Sequence, residues 1–85
     1  MSYQVLLSED AKRALLKLDK AISSRLVKKL ESAKEDPLPY LKRLEGVPLF
    51  SLRAGDYRLI ISMDFEKNTM LVIRVGHRKK VYDGL

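Results

Sequence analysis

Beyond residue 50 the chain carries Arg53, Arg58, Arg74, His77, Arg78, Lys79, Lys80 and Tyr82, and these are the side chains from which a chemistry could be built. Guanidinium forks grip phosphates bidentately, aromatic faces hold unpaired bases, and an imidazole titrates near neutral pH. From Arg74 to Lys80 there are four basic side chains and no carboxylate, whereas residues 8–36 hold eight Lys/Arg against six Asp/Glu. With a formal net charge of +6, this local excess points to a polyanionic partner. The plainer reading, a solubilising surface charge, stands beside it.

Other chemistries are not supported. The chain has one histidine and no cysteine, so disulfide scaffolds and thiolate metal sites are excluded, and no ligand cluster calls for a metal or a cofactor. A Gly-rich phosphate loop and a nucleophile elbow are also missing. The longest apolar runs are Leu59-Ile60-Ile61 and Met70-Leu71-Val72-Ile73, far short of the ~20 residues that span a bilayer. The start, Met1-Ser2-Tyr3-Gln4, lacks the basic-then-apolar pattern of a secretory signal, so a cytoplasmic location is expected.

The elements that must position these residues can be read from periodicity. Tyr3 to Leu7 alternates as a short strand. Ser8 before Glu9-Asp10 is an N-cap with acidic residues suited to a helix start, and Ala11, Ala14, Leu15 and Leu18 follow at helical spacing over about 8–19. Ile22, Leu26, Leu30 and Ala33 mark a second amphipathic helix that Asp36-Pro37 ends. After a Pro37-Leu38-Pro39 connector the pattern changes to strands at 49–53, 57–64 and 69–75, with turns at Ala54-Gly55-Asp56 and Glu66-Lys67-Asn68. The expected fold is α+β: a short N-terminal strand, an antiparallel helical hairpin and a three-stranded antiparallel β-meander, in a single domain over residues 1–85. Tyr40 and Phe50 are expected in the core.

Strand alternation then sorts the basic residues by face. Tyr57, Leu59, Ile61 and Met63 point toward the helices, leaving Arg58, Ile60 and Ser62 on the other side. In the next strand Leu71, Ile73 and Val75 share one face, and Met70, Val72 and Arg74 the opposite one. If that strand continues, Gly76 and Arg78 join the arginine side, and Ser51 and Arg53 share a parity in the strand before. Arg53, Arg58, Arg74 and Arg78 are thus expected on one uncovered sheet face, as a phosphate-binding surface. The competing reading pairs them with Asp56, Asp64 or Glu66. His77 falls with Val75, away from Arg78, unless the chain bends at Gly76, so a structural and a catalytic role both remain open. Tyr82 is either a base-stacking residue or a packed C-terminal aromatic.

The stretch Leu52-Arg53-Ala54-Gly55-Asp56-Tyr57-Arg58-Leu59-Ile60 resembles the sheet motif of the RelE/ParE toxin superfamily. Val75-Gly76-His77-Arg78-Lys79-Lys80-Val81-Tyr82 is similar to its C-terminal signature, and Leu44-Glu45-Gly46 to the Leu-x-Gly before the first meander strand. The resemblance implies a RelE-like toxin of a type II toxin–antitoxin system, an endoribonuclease that enters the A site of the 70S ribosome and cleaves mRNA without a metal. In it, Arg58 and Arg78 match the arginines that stabilise the phosphate, and Tyr82 the tyrosine that stacks on a base. Arg53, Arg74, Lys79 and Lys80 are expected to bind RNA around them. The resemblance also implies a RelB-like antitoxin, with operator DNA contacted only through the antitoxin complex, and no membrane partner. The chain departs from the family where Leu49 and Ser51 replace lysines that assist proton transfer. Either His77, Lys79 or Lys80 substitutes, or blockage dominates over cleavage. ParE-like toxins acting on DNA gyrase, and a basic nucleic-acid-binding domain without catalysis, are the alternatives.

Overall fold

The computed structural model describes residues 2–85, with the side chain of Lys79 outside the described set. Strand β1 (Gln4–Leu7) leads into helices α1 (Glu9–Lys17) and α2 (Lys20–Ala33). A short 3-10 turn (Leu38–Tyr40) then precedes β2 (Leu41–Arg43), β3 (Phe50–Ala54), β4 (Tyr57–Asp64) and β5 (Thr69–His77). A C-terminal 3-10 turn spans Arg78–Tyr82. The sheet order is β1-β5-β4-β3-β2, antiparallel except that β1 runs parallel to β5.

The helix start is where expected, for the expected reason. The Ser8 hydroxyl accepts from the Ala11 amide at 3.1 Å and donates to the Ile73 carbonyl at 2.9 Å, while the Ser8 amide donates to Val72 O. One residue therefore caps α1 and ties it to β5. Both helices lie on one face of the sheet. There Leu26 and Leu30 of α2 and Ala11 of α1 join Leu52, Leu59, Ile61, Met70, Val72 and Val75 in one buried cluster. Each large side chain taken wholly out of water contributes about 1.5–3 kcal/mol. A thin core of this size depends on each of them.

The sheet has five strands, one more than the expected N-terminal strand and three-stranded meander together supply. Strand β1 lies beside β5, and the three residues of β2 pair with β3, Lys42 opposite Ser51. The expected faces of the last strand also need correction. Ile60 pairs with Arg74 but Ile61 pairs with Val72, so Ile73 is an extra residue in a β-bulge. The bulge reverses the alternation. Met70 and Val72, expected beside Arg74, are fully buried among the helix-facing residues, and Arg74 still stands across from Ile60 on the other face. Tyr40 is a second correction. It was expected in the core, yet it is 41 % exposed. Phe50 is half-buried, edge-to-face with Phe65 at 6.1 Å.

Candidate functional site

The tight hairpin between β3 and β4 sets the first part of the site. Gly55 takes φ +62, a conformation that glycine adopts at low cost, and the turn brings Arg53 directly opposite Arg58. Like charges across a sheet pair destabilise it unless something negative lies between them. No carboxylate of this chain does so among the described residues. The ion pairs there join Lys12 to Glu9, Arg13 to Asp10 and Lys34 to Glu31, all on the helices or at the end of α2. Asp64, one of the expected partners, instead accepts the amides of Glu66 and Lys67. Arg53 is exposed and its Nε donates to Gly55 O at 3.2 Å. Arg58 is half-buried, and its Nη1 is shielded from solvent with no hydrogen-bond partner among the described residues. An orphaned donor of this kind costs about 1–3 kcal/mol. An incoming anion would repay that cost.

Arg58 opens into a two-lobed cleft. One lobe, about 310 Å³, is lined by Tyr40, Lys42, Ser51, Arg53, Arg58 and Tyr82 among others. The second, about 590 Å³, has Arg43, Glu45 and Leu85 in its wall and shares Lys42, Arg58 and Tyr82 with the first. The shared residues stand where the lobes meet, and two of them are cations beside an aromatic ring. Lys42 and Tyr40 were not among the sequence candidates. A three-residue edge strand is too short for alternation to declare itself, and only the basic Lys42-Arg43 pair ahead of Leu44-Glu45-Gly46 could have flagged it.

Tyr82 reaches the cleft because the chain folds back over the sheet. Val81 is 2 % exposed, and a Cβ at Gly76 would lie 3.3 Å from Val81 Cβ and Cγ2. Glycine is needed there for the close approach. Arg74 then locks the segment: its Nη1 donates to Val81 O at 3.0 Å and to Asp83 O, the carbonyls on either side of Tyr82. The arginine face is therefore not uncovered. Arg74 lies on the face that alternation gave it, but its guanidinium grips the protein's own backbone.

The remaining candidates are placed apart. His77 pairs with Tyr57 across β4 and β5, rings edge-to-face at 5.2 Å, and Tyr57 packs on the helix-facing core. His77 thus lies on the opposite side of the sheet from Arg58. At Arg78 the strand ends and φ becomes +40, a left-handed conformation strained for a side-chain-bearing residue. Its amide donates to Asp56 O at 2.7 Å, which seats it beside the turn joining Arg53 to Arg58. Strand parity does not govern its side chain, which is exposed, as is that of Lys80. The expectation for Lys79 falls on a side chain outside the described residues. The structure brings together Arg53, Arg58 and Tyr82, sets Arg78 beside their turn, and leaves His77 on the other face.

Comparison with known proteins identifies the family to which the chain is similar. The family model of the ParE toxin of type II toxin–antitoxin systems matches residues 5–82. A RelE-like toxin protein of Escherichia coli is 35 % identical over 94 % of this chain and 87 % of its own length. The mRNA interferase toxin RelE of E. coli K12 is 32 % identical with the same coverage. The toxin–antitoxin complex RelBE2 of Mycobacterium tuberculosis contains a chain that superposes with a TM-score of 0.82 at 34 % identity, covering 92 % of this chain and all of that one.

Proposed function

Because the chain belongs to the ParE toxin family of type II toxin–antitoxin systems, with RelE-type relatives, we propose that it is a type II toxin that arrests translation by cleaving mRNA on the ribosome, without a metal, as one domain over residues 1–85. The observation that carries this reading is the buried, unbonded Nη1 of Arg58 in a cationic cleft. In the reaction a ribose 2′-oxygen attacks the adjacent phosphorus, the bond from phosphorus to the 5′-oxygen breaks, one proton leaves the 2′-hydroxyl and one reaches the departing oxygen. Charge builds on the non-bridging oxygens of the phosphorane. A donor fixed in advance, with its desolvation cost already met in the fold, stabilises that charge more than it does the ground state. Arg58 supplies it, Arg53 and Arg78 add positive potential, and Tyr82 offers a face on which a base stacks. Lys80, which is exposed, extends the basic surface along the RNA.

A second reading, binding and blockage without efficient cleavage, is favoured by one observation: His77 faces Tyr57 and not the cleft. The cleft is better equipped for phosphate charge than for proton transfer. The partner of this toxin is a RelB-like antitoxin, supported by the RelBE2 neighbour and by Leu16, 86 % exposed, and Val27 on the helical hairpin. Operator DNA is reached only through that complex, and the setting is the cytoplasm with its 70S ribosomes. The test is to induce the protein in cells and map messenger ends on translating ribosomes. Cuts within codons, lost with Arg58→Ala, are expected. Growth arrest with intact messages rejects cleavage in favour of blockage, and altered DNA supercoiling rejects the ribosomal target in favour of gyrase.

A further inference from the structure

The cleft has one feature that the arginine pair does not explain. Arg53 and Arg58 face each other across β3 and β4, but Lys42 enters the same cavity from β2, opposite Ser51, and lines both lobes. We infer that Lys42 is a second phosphate ligand, so that the cleft grips two consecutive phosphates of a single strand, one at Arg58 and the next at Lys42. This deepens the RNA reading above and rests on it.

The sheet register sets the separation. Lys42 sits one strand over from Ser51, and Ser51 two residues along β3 from Arg53. With strands about 4.8 Å apart and a rise of about 3.4 Å per residue, the Lys42 and Arg58 backbones lie roughly 12 Å apart and the Lys42 and Arg53 backbones roughly 8 Å apart. Lys42 and Arg58 line the same cavity, offset by two residues along the strand axis. Two cations spaced this way suit neighbouring phosphates better than one. Lys42 is exposed and has no carboxylate partner among the described ion pairs. Glu45, the carboxylate in the wall of the second lobe, marks the end of the cationic track. Tyr40 and Tyr82 flank the first lobe, offering stacking faces to bases on either side of the backbone.

The position also bears on Leu49 and Ser51, where lysines would stand in the relatives' strand. Ser51 is the residue that Lys42 pairs with, so the small side chain on β3 leaves room for an ammonium arriving from the neighbouring strand.

The experiment uses the full chain and uncleavable 2′-O-methyl oligoribonucleotides, titrated at several KCl concentrations. Lys42→Gln is expected to weaken binding about tenfold and to reduce the slope of log K against log salt by about 0.7, one single-strand phosphate. Lys42→Arg restores both, and Arg58→Gln loses a comparable slope on its own. A trinucleotide with two internucleotide phosphates should bind better than a dinucleotide with one, and Lys42→Gln should erase that preference. If Lys42→Gln keeps the wild-type slope and preference while Arg58→Gln does not, the lysine holds no phosphate and the RNA reading stands. If the unmutated chain binds no oligonucleotide in a salt-dependent way, the RNA reading and the lysine's role fall together.

Discussion

Replacing Arg74 separates two accounts of why it is there. On the sheet-face argument it binds RNA through its charge; in the structure its Nη1 holds the carbonyls of Val81 and Asp83 around Tyr82. Arg74→Met keeps the apolar stem and removes both bonds. The bond to Val81 O is partly buried, and a charged donor there is worth about 2 kcal/mol. The exposed one to Asp83 O adds about 1 kcal/mol because water replaces it readily. The docked C-terminal segment should then lose about 3 kcal/mol against its open form, a factor of roughly 150 in the opening equilibrium. Amide exchange reports this directly, since the Asp83 and Leu85 amides donate to Lys80 O and Tyr82 O within that segment. Their exchange should accelerate by about two orders of magnitude, with the β4 and β5 amides little changed. Oligonucleotide binding should fall to the level of Tyr82→Ala. Arg74→Lys keeps the charge on a side chain one bond shorter, so an RNA contact would survive it and the clamp would not. Unchanged exchange at Asp83 and Leu85, or full function in Arg74→Met with a lower salt slope, refutes the clamp.

Other outcomes follow from the same geometry. Arg58→Met, which replaces a buried unbonded donor by an apolar stem, should leave stability unchanged or raise it by about 1–2 kcal/mol while weakening RNA binding; inorganic phosphate should raise the Tm of the unmutated chain more than that of this variant, and a destabilised Arg58→Met would show that Nη1 is partnered. Gly76→Ala sets a methyl 3.3 Å from Val81, so a loss of about 1–3 kcal/mol in chemical denaturation is expected, with Tyr82-dependent binding lost as the C-terminal turn lifts. Arg78→Gly removes the strain of φ +40, so its stability should stay within about 1 kcal/mol of the parent even as messenger cleavage drops; a large fall in Tm would mean that the arginine side chain, not its backbone, holds the junction.

What the sequence determined by itself was whatever local chemistry specifies. Ser8 followed by two acids starts a helix, Pro37 follows the second helix, Gly55-Asp56 turns a hairpin, and the runs at 57–64 and 69–75 are strands because β-branched and aromatic residues favour a pleated, half-buried surface. Alternation within β3 and β4 placed Arg53 and Arg58 on one face, alternation at the end of β5 placed His77 on the other, and the register bears this out. The tertiary structure alone decided what depends on residues distant in the chain. The bulge at Ile73 turned Met70 and Val72 inward, which a strict period of two cannot anticipate, since one extra residue reverses the faces on one side of it relative to the other. The pairing of Leu41–Arg43 with β3 put Lys42 in the cleft; three residues carry no period of their own, and only the neighbouring strand makes them a strand. The backward fold at Arg78 converted Arg74 from a surface cation into a backbone clamp, because a hydrogen bond goes to whichever acceptor the fold brings near.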